Sequence, residues 1–317
     1  MLSRLRLRHP SVVLALGAAV LLATAWPSPL SADRVLFPFT ELSDEDLSRI
    51  DLHDGYLYDW QHVLGEPTFT ARSAWVGQGK SWTPHYDPSD LDFRIWLAWH
   101  DATNRLYFAM ERIDDDYGNA YDGTSGSMSN HDGFMLVVVD GDRSGGRSFI
   151  YDFSHMTETE QASAEVRHHQ DWEALAETHG AGSHLFMHYQ EYGDWCTRPP
   201  YADGGGRHFS LNPGVDLLEF YITPFDLLSF GGPDHSQVSD LYPGKRIGIS
   251  LLISDRDANG TLLYALSPEY GGIQLEFLPH GIMVGKAQAG SGLDGLAESS
   301  WATVKHAPSA DSLAPQP

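Results

Sequence analysis

The stretch Arg105-Leu-Tyr-Phe-Ala-Met-Glu-Arg-Ile113 carries the clearest fold signal in this sequence of 317 residues. Two sets of side chains alternate along it: Leu106, Phe108, Met110 and Arg112 in one set, and Tyr107, Ala109 and Glu111 in the other. Successive side chains of a β-strand point to opposite faces, so a period of two places each set on its own face. The stretch therefore predicts a β-strand with two distinct faces.

The same signal recurs along the chain in runs rich in aromatic and β-branched residues, separated by Gly, Asp, Asn and Pro. The clearest further runs are Phe93 to Trp99, Gly133 to Asp140, Arg147 to Phe153, Leu217 to Ile222, Arg246 to Ser254 and Thr261 to Ala265. Residues 133–139 are apolar on both faces, which is typical of a central strand. We expect an all-β protein, an antiparallel β-sandwich of jelly-roll type. Trp99 to Arg105 predicts a hairpin turn with Asp101 and Asn104 as turn formers.

The strand rhythm stops between Ser154 and Pro213. Glu158 to His179 is the best helix candidate, because Glu165, Trp172 and Leu175 recur at helical spacing. A loop rich in Gly, Tyr and Trp follows. We interpret 154–213 as a helical, loop-rich insertion in one sandwich domain that spans 33–284.

The two ends of the chain differ from this domain. Three arginines precede the apolar run Val12 to Leu22, which is shorter than the roughly 20 residues that span a bilayer. Residues 1–32 are therefore predicted to be a signal peptide, cut after Ala32, with Ala25 as the other candidate and an uncleaved membrane anchor as the alternative. Residues 285–317 form a tail rich in Ala, Ser and Pro, which we expect to be partly disordered. This arrangement predicts a secreted or periplasmic bacterial protein.

The charge balance limits the partners. The chain holds 43 acidic and 20 basic residues, for a net charge of −23. A surface of this sign repels nucleic acid and anionic membranes, so we expect neither as a partner after signal cleavage. It suits neutral ligands and divalent cations. The single cysteine, Cys196, has no partner for an internal disulfide.

Four segments of the chain form an ordered set of motifs. They are Asp54-Gly-Tyr-Leu-Tyr-Asp-Trp60; Ile95-Trp-Leu-Ala-Trp-His-Asp101 with Leu106 to Asp116; Asn130-His-Asp-Gly-Phe-Met-Leu-Val-Val-Val-Asp-Gly-Asp142; and Leu218 to Asp226 with Pro243 to Ser250 and Asp255-Arg-Asp257. In this order they resemble carbohydrate-binding module family 9, and the first resembles the opening strand of that family. Together they cover most of residues 50–270. The resemblance implies a β-sandwich that binds carbohydrate, with calcium as a stabilising ion, and the same sandwich also occurs in haem b-binding redox modules.

Two loops share the pattern D-x-D-x-[N/S]-G, which places alternating oxygen ligands where they can converge on Ca²⁺. The candidate ligands are Asp140, Asp142, Asp255, Asp257 and Asn259. Tyr151 and Leu266 stand where an EF-hand has its bidentate Glu, so neither loop is an EF-hand. The alternative is a hairpin turn with solvated acids. Asp114, Asp115 and Asp116 form a third acidic group at a strand end.

Aromatic side chains in the predicted loops are the candidates for stacking on sugar rings. One set is Trp75, Trp82 and Tyr86, and the other, within the insertion, is Tyr192, Trp195 and Tyr201. Ordinary packing of loops over the ends of the sandwich is the alternative for each ring. Trp60 and Trp99 are predicted to be core residues.

The sequence favours binding over catalysis, since it lacks G-x-S-x-G, S-x-x-K and P-loop patterns. If the chain is an enzyme, hydrolysis of O-glycosyl bonds by two carboxylates is the alternative, either in this chain or in a secreted enzyme partner. Haem b held by Met128 and a histidine is the alternative cofactor. His184 and His188 would share a face of a helix, which we interpret as a solvated helix end.

Overall fold

A computed structural model describes residues 36–78, 81–84, 86–119, 121, 128–141, 170–178, 182–187, 195–211, 213–229, 231–257, 260–265 and 280–286. For the strand residues 36, 76–78, 81–84, 177–178, 182–187, 210–211 and 260–262, the description covers the backbone alone. Throughout these ranges, none of the helices has the length and apolar character needed to cross a membrane.

Strands dominate the described chain. They are β1 (Leu36–Glu41), β2 (Phe69–Thr70), β3 (Trp75–Gln78), β4 (Ser81–Pro84), β5 (Leu91–His100), β6 (Arg105–Asp114), β7 (Phe134–Asp140), β8 (Gln170–Thr178), β9 (Gly182–Met187), β10 (Ala202–Leu211), β11 (Gly214–Ile222), β12 (Phe225–Leu227), β13 (Gln237–Val238), β14 (Arg246–Asp257), β15 (Gly260–Ala265) and β16 (His280–Val284). Two short helices, α1 (Asp44–Leu47) and α2 (Tyr58–Leu64), lie near the start.

Hydrogen bonds join 14 strands into one continuous system in the order β10-β11-β6-β5-β1-β16-β14-β15-β3-β4. Strand β7 pairs with β14 and with β8, and β8 pairs with β9. One layer therefore contains β10, β11, β6 and β5, and the other contains β14, β7, β8 and β9. Strand β1 joins them, because it pairs in parallel with both β16 and β5. The chain is all-β, as its sequence predicts.

The main core lies between the two layers. Leu106, Phe108 and Met110 of β6 face it, as the alternation in the opening stretch predicts. Phe108 stacks on Phe220 of β11 with ring centroids 5.0 Å apart. Strand β7 is bonded along both edges, as expected of a central strand. Trp99 is fully buried here, so its prediction as a core residue is confirmed.

A second apolar cluster covers the outer face of β5, β6 and β11. Trp60 of α2 is fully buried in it and packs with Trp96, Tyr107 and Tyr221. The cluster explains why β6 is apolar on both faces: Tyr107 and Ala109 face residues 42–64, not solvent. The prediction that Trp60 is a core residue is confirmed.

Three local predictions are wrong. Gln170 to Thr178, the end of the predicted helix, is strand β8, because Trp172, Ala174 and Ala176 alternate into the main core. Residues 58–60, the end of the expected opening strand, belong to helix α2. This helix carries Trp60, which packs against the outer face of the sheet. His184 lies on strand β9, so no helix places it beside position 188. Residues 147–153 and 158–169 lie outside the described chain.

The hairpin turn between β5 and β6 is confirmed. Asn104 adopts φ of 50°, a left-handed conformation that Asn tolerates better than most residues, and its N–H donates to the carbonyl of Asp101. The Oδ1 atom of Asn104 accepts from the backbone N–H of Leu241 at 2.8 Å. The turn is therefore stabilised by one hydrogen bond within it and by one from the backbone at Leu241.

Candidate metal centre and binding surface

The core-facing positions of three strands become charged at one end of the sandwich. On β6 the inward set ends with Arg112 and Asp114, on β11 it includes Asp216, and on β14 it ends with Asp255 and Asp257. Since alternate residues of a strand share a face, these charges continue the faces that carry the apolar core. They therefore meet between the layers.

Arg112 is the centre of this charged group and is fully buried. Its guanidinium donates to Asp132 at 2.7 Å, to Asp216 at 3.0 Å and to Asp114. Asp216 also contacts Nδ1 of His208 at 2.8 Å, and the His208 ring stacks on Tyr117 with centroids 3.9 Å apart. The guanidinium has well-placed acceptors, which a buried cation requires.

Asp255 is a further buried member of the charged group. It is 1 % exposed, and neither of its carboxylate oxygens has a hydrogen-bond partner in the described chain. Its nearest cation is Arg112, at 4.0 Å. A buried carboxylate without a donor is costly unless a proton or a cation satisfies it.

Two sets of carboxylates converge on Asp255. Oxygens of Asp90, Asp255 and Asp257 all lie within 4.8 Å of one another, and so do oxygens of Asp114, Asp132 and Asp255. Asp90 and Asp257 are partly exposed, so the first set opens toward solvent. An all-oxygen donor set with an open side suits a hard divalent cation such as Ca²⁺.

The pKa values reflect the excess of negative charge. Burial and the neighbouring charges of Asp114, Asp90 and Asp257 together raise the pKa of Asp255 to about 7, against the lowering effect of Arg112. Burial likewise raises the pKa of Asp114 to about 7 against the lowering effect of Arg112. One guanidinium thus does not neutralise the surrounding carboxylates.

The sequence predicted part of this group. The structure brings Asp255 and Asp257 together. Asp140 does not join them, because it ends β7 and pairs with Gly248, near the start of β14, whereas Asp255 and Asp257 lie at the end of β14. Asp142 and Asn259 lie outside the described residues. Asp90, Asp132 and Asp216 were missed as members, and so was Arg112. A signal existed: Arg112 occupies an inward position of a strand, and a charge there requires buried partners.

The first predicted aromatic set lies on the hairpin formed by β3 and β4. Gly77 pairs with Trp82, and Trp75 pairs with Pro84, so positions 75, 77 and 82 share one face. This is the face opposite Tyr264, which pairs with Val76 and points into the main core. Strand β4 ends the bonded order, and Trp75 is partly exposed.

Tyr86 follows this hairpin. It is partly buried against the main core, and the Arg72 guanidinium lies 5.0 Å from its ring centroid. The cation fixes one face of the ring, since cations are attracted to aromatic faces. Tyr86 is therefore held in place beside the hairpin.

The second predicted aromatic set is packed more deeply. Trp195 meets Tyr201 edge-to-face at 4.8 Å and Phe225 at 5.5 Å, and both predicted rings are partly buried against the main core. Tyr192 lies outside the described residues. Met128, named for the haem alternative, is buried in a small cluster with Tyr121, Phe134 and Leu175.

The outer cluster contains a buried acid. Glu219 of β11 is 1 % exposed and accepts a hydrogen bond from Nε1 of Trp60 at 2.8 Å. Burial raises its pKa to about 8; the Trp60 bond lowers it, and the acids at 51, 54 and 59 raise it. No local pattern predicts the buried role of this residue, because its partner Trp60 lies 159 positions away in the chain.

Comparisons with known proteins give distant structural matches and no match in sequence. Neither a family model nor a curated protein sequence matches the chain. A carbohydrate binding module family 9 domain from Caldicellulosiruptor kristjanssonii in complex with glucose is similar in structure, with 11 % identity, a TM-score of 0.46, and coverage of 79 % of this chain and 96 % of that one. The same module in complex with cellotriose is similar with 11 % identity and a TM-score of 0.45, and the match covers 79 % of this chain and 94 % of that one. These structures belong to the family that the sequence motifs resemble. At this level of similarity, the matches assign neither a family nor a ligand to this chain.

Proposed function

We propose that the chain is a non-catalytic carbohydrate-binding domain whose ligand surface is the outer face of the β3–β4 hairpin. The observation that carries the proposal is the backbone register, which puts positions 75 and 82 on the same face of this edge hairpin. Glycine at the facing position 77 adds no side chain between them.

The chemistry of this face suits a neutral sugar. Pyranose rings carry apolar C–H faces that stack on aromatic rings, and polar side chains at the margin orient the hydroxyl groups. A net charge of −23 disfavours anionic glycans. We therefore expect neutral polysaccharides or oligosaccharides.

Alanine variants test the surface. Trp75→Ala and Trp82→Ala should reduce retention of the protein in gels containing mixed-linkage β-glucan by tenfold or more, since stacking is lost. Tyr242→Ala is the matched control, because Tyr242 is an exposed aromatic residue (54 %) elsewhere on the surface. Urea midpoints equal to that of the parent protein would show that the variants are folded. Parent-like retention of both tryptophan variants would contradict the proposal, as would a glycan array without any bound sugar.

Calcium at Asp90, Asp255 and Asp257 is the second part of the proposal. The residues fit: they offer only oxygen donors, the Asp255 oxygens are buried without hydrogen-bond donors in the described chain, and one cation faces several carboxylates. A bound Ca²⁺ would supply positive charge among these three carboxylates, which lie just before the start of β5 and at the end of β14. The Asp90 carboxylate is held in place by the Tyr264 hydroxyl, which donates a hydrogen bond to it at 3.3 Å.

A metal titration tests this part. Adding Ca²⁺ to EDTA-treated protein should raise the Tm, because a ligand bound only by the folded state stabilises it by about 2.7 kcal/mol at 100 times its Kd. Asp257→Asn and Asp255→Asn should abolish the increase, whereas Asp240→Asn, an exposed control with the same charge change, should keep it. A Tm that is the same in EDTA and in Ca²⁺ would remove calcium from the proposal.

The proposed location is outside the cytoplasm, after removal of residues 1–32. The motivation is the apolar run behind Arg4, Arg6 and Arg8. N-terminal sequencing of the protein from the periplasm or culture medium should start at Asp33. Recovery of the uncut chain in the cytoplasmic fraction would contradict this.

A further inference from the structure

A patch of exposed aromatic side chains lies on strand β10, at the end of the bonded order opposite to the hairpin. Tyr56 and Phe209 are 45 % and 43 % exposed, and their ring centroids lie 6.0 Å apart at a tilt of 46°. Tyr58, 77 % exposed, lies two residues after Tyr56. Large aromatic residues this exposed and this close together point to a binding surface.

The backbone is built to form this patch. Strand β10 has a β-bulge between His208 and Ser210, and a bulge re-aims the side chain at the extra residue, here Phe209. The glycine run on β10 lets residues 51–56 lie against the strand: a Cβ at Gly205 would stand 2.9 Å from the Leu52 carbonyl oxygen. The loop thereby places Tyr56 next to Phe209.

Arg207 fixes the rings in position. Its guanidinium lies 4.8 Å from the Phe209 centroid and 5.5 Å from that of Tyr56, and it donates to the Tyr56 hydroxyl at 3.4 Å. Gly55, at φ of +67°, leaves room for the aliphatic part of the Arg207 side chain, since a Cβ at position 55 would lie 2.8 Å from Cδ of Arg207. The rings are therefore held in place before a ligand arrives.

Arg207 also has spare hydrogen-bond donors. Among the residues that the structure describes, no carboxylate forms an ion pair with it, although the chain carries 43 acids. A guanidinium has five N–H donors, and within the described part of the chain the Tyr56 hydroxyl accepts from one of them. Asp203 on the same strand, which contacts His53 Nε2 at 3.3 Å, offers acceptors nearby.

From these contacts we infer a second carbohydrate surface formed by Tyr56, Arg207 and Phe209. It takes a neutral pyranose unit, whose C–H face stacks on the rings while Arg207 donates to ring hydroxyls. The inference extends the proposed function to a separate surface on the opposite end of the strand order. Two surfaces on one domain make binding to a long polymer bivalent, and bivalent binding exceeds the affinity of either site alone.

The test compares the parent, Phe209→Ala, Trp82→Ala and the double variant in gels containing mixed-linkage β-glucan, with Tyr242→Ala as the control. Each single variant should lose retention on the order of tenfold, and the double variant should lose it entirely. Titration of the parent with cellotriose should give two sites per chain, and titration of either single variant should give one.

The outcomes separate the two surfaces. Parent-like retention of Phe209→Ala with weakened Trp82→Ala overturns the second surface and leaves the proposed function intact. The reverse pattern supports the second surface and overturns the hairpin site. A dimer in sedimentation velocity that Phe209→Ala dissociates would show that the patch binds a second copy instead. Retention on anionic alginate that depends on Phe209 would overturn the neutral-sugar assignment.

Discussion

Replacing Glu219 with Gln should stabilise the protein at alkaline pH and leave it nearly unchanged at acidic pH. Glu219 is buried under α2 with the Trp60 indole as its donor, and burial raises its pKa from 4.5 to about 8. The folded state therefore binds a proton that the unfolded state has already released. Stability falls as the pH rises from 4.5 to about 8, and the full loss is present above that range.

The size of the effect follows from the two pKa values. Each unit of difference between the two pKa values is worth about 1.4 kcal/mol. The ionisation of Glu219 therefore lowers the free energy of unfolding by at most about 4 to 5 kcal/mol at pH 9, and by less than about 1 kcal/mol at pH 5. Gln keeps an acceptor for the Trp60 N–H and never ionises. The variant should therefore be more stable than the parent by a few kcal/mol at pH 9.

Urea denaturation of both proteins at pH 5, 7 and 9 measures this difference directly. The acids around Arg112 titrate in both proteins, so their contribution cancels in the comparison. Glu66→Gln, at an exposed position, is the matched control and should show no such trend. A difference between Glu219→Gln and the parent that stays constant from pH 5 to pH 9 would refute the reasoning.

Three further predictions concern the core, a surface contact and a glycine. Phe108→Ala should lower the free energy of unfolding in urea by about 3–5 kcal/mol, because it removes a fully buried ring. Burial opposes the low pKa of Asp46, yet the hydrogen bond from Lys286 lowers it to about 2, so this contact stabilises the fold above pH 3.8 and is lost toward pH 2. Asp46→Asn should thus cost about 1 kcal/mol at pH 7, reduced by solvent screening of the half-exposed lysine, and melts should converge near pH 2. Gly204→Ala should lower the Tm more than Gly285→Ala, because a Cβ at 204 would lie 2.3 Å from the Glu219 carbonyl oxygen, whereas the nearest atom to a Cβ at 285 is Oε2 of the Glu41 side chain, at 3.4 Å; equal losses would contradict this.

Local alternation was enough to predict most of the sandwich. The run around Phe108 was predicted as a strand from its repeat of two residues, and the run around Val137 from its continuous apolar character. Neither signal needs knowledge of the partner strands. The segment around Trp172 misled because residues three apart, Trp172 and Leu175, are both apolar. In the structure they face opposite sides of β8, one toward the main core and the other toward the cluster around Met128.

The candidate metal centre was only half predictable. Asp255 and Asp257 carry a local motif, but Asp216 joins the charged group from a distant strand, and Asp90 and Asp132 join it from two turns. Such a meeting depends on strand register, which the order of residues in a sequence does not express. The same holds for the patch on β10, where a bulge and a glycine run decide which side chains turn outward.

The parallel pairing of β1 with β16 has a consequence for the order of folding. Phe37 lies opposite Gly281, so the strand that begins the described domain finds its neighbour some 240 positions later. A newly made chain cannot complete the junction between the two layers until that last strand is available. Because loop closure over such distances is slow, we expect the joining of the layers to be the late, rate-limiting event of folding. A chain that stops short of residue 280 should stay open along this seam.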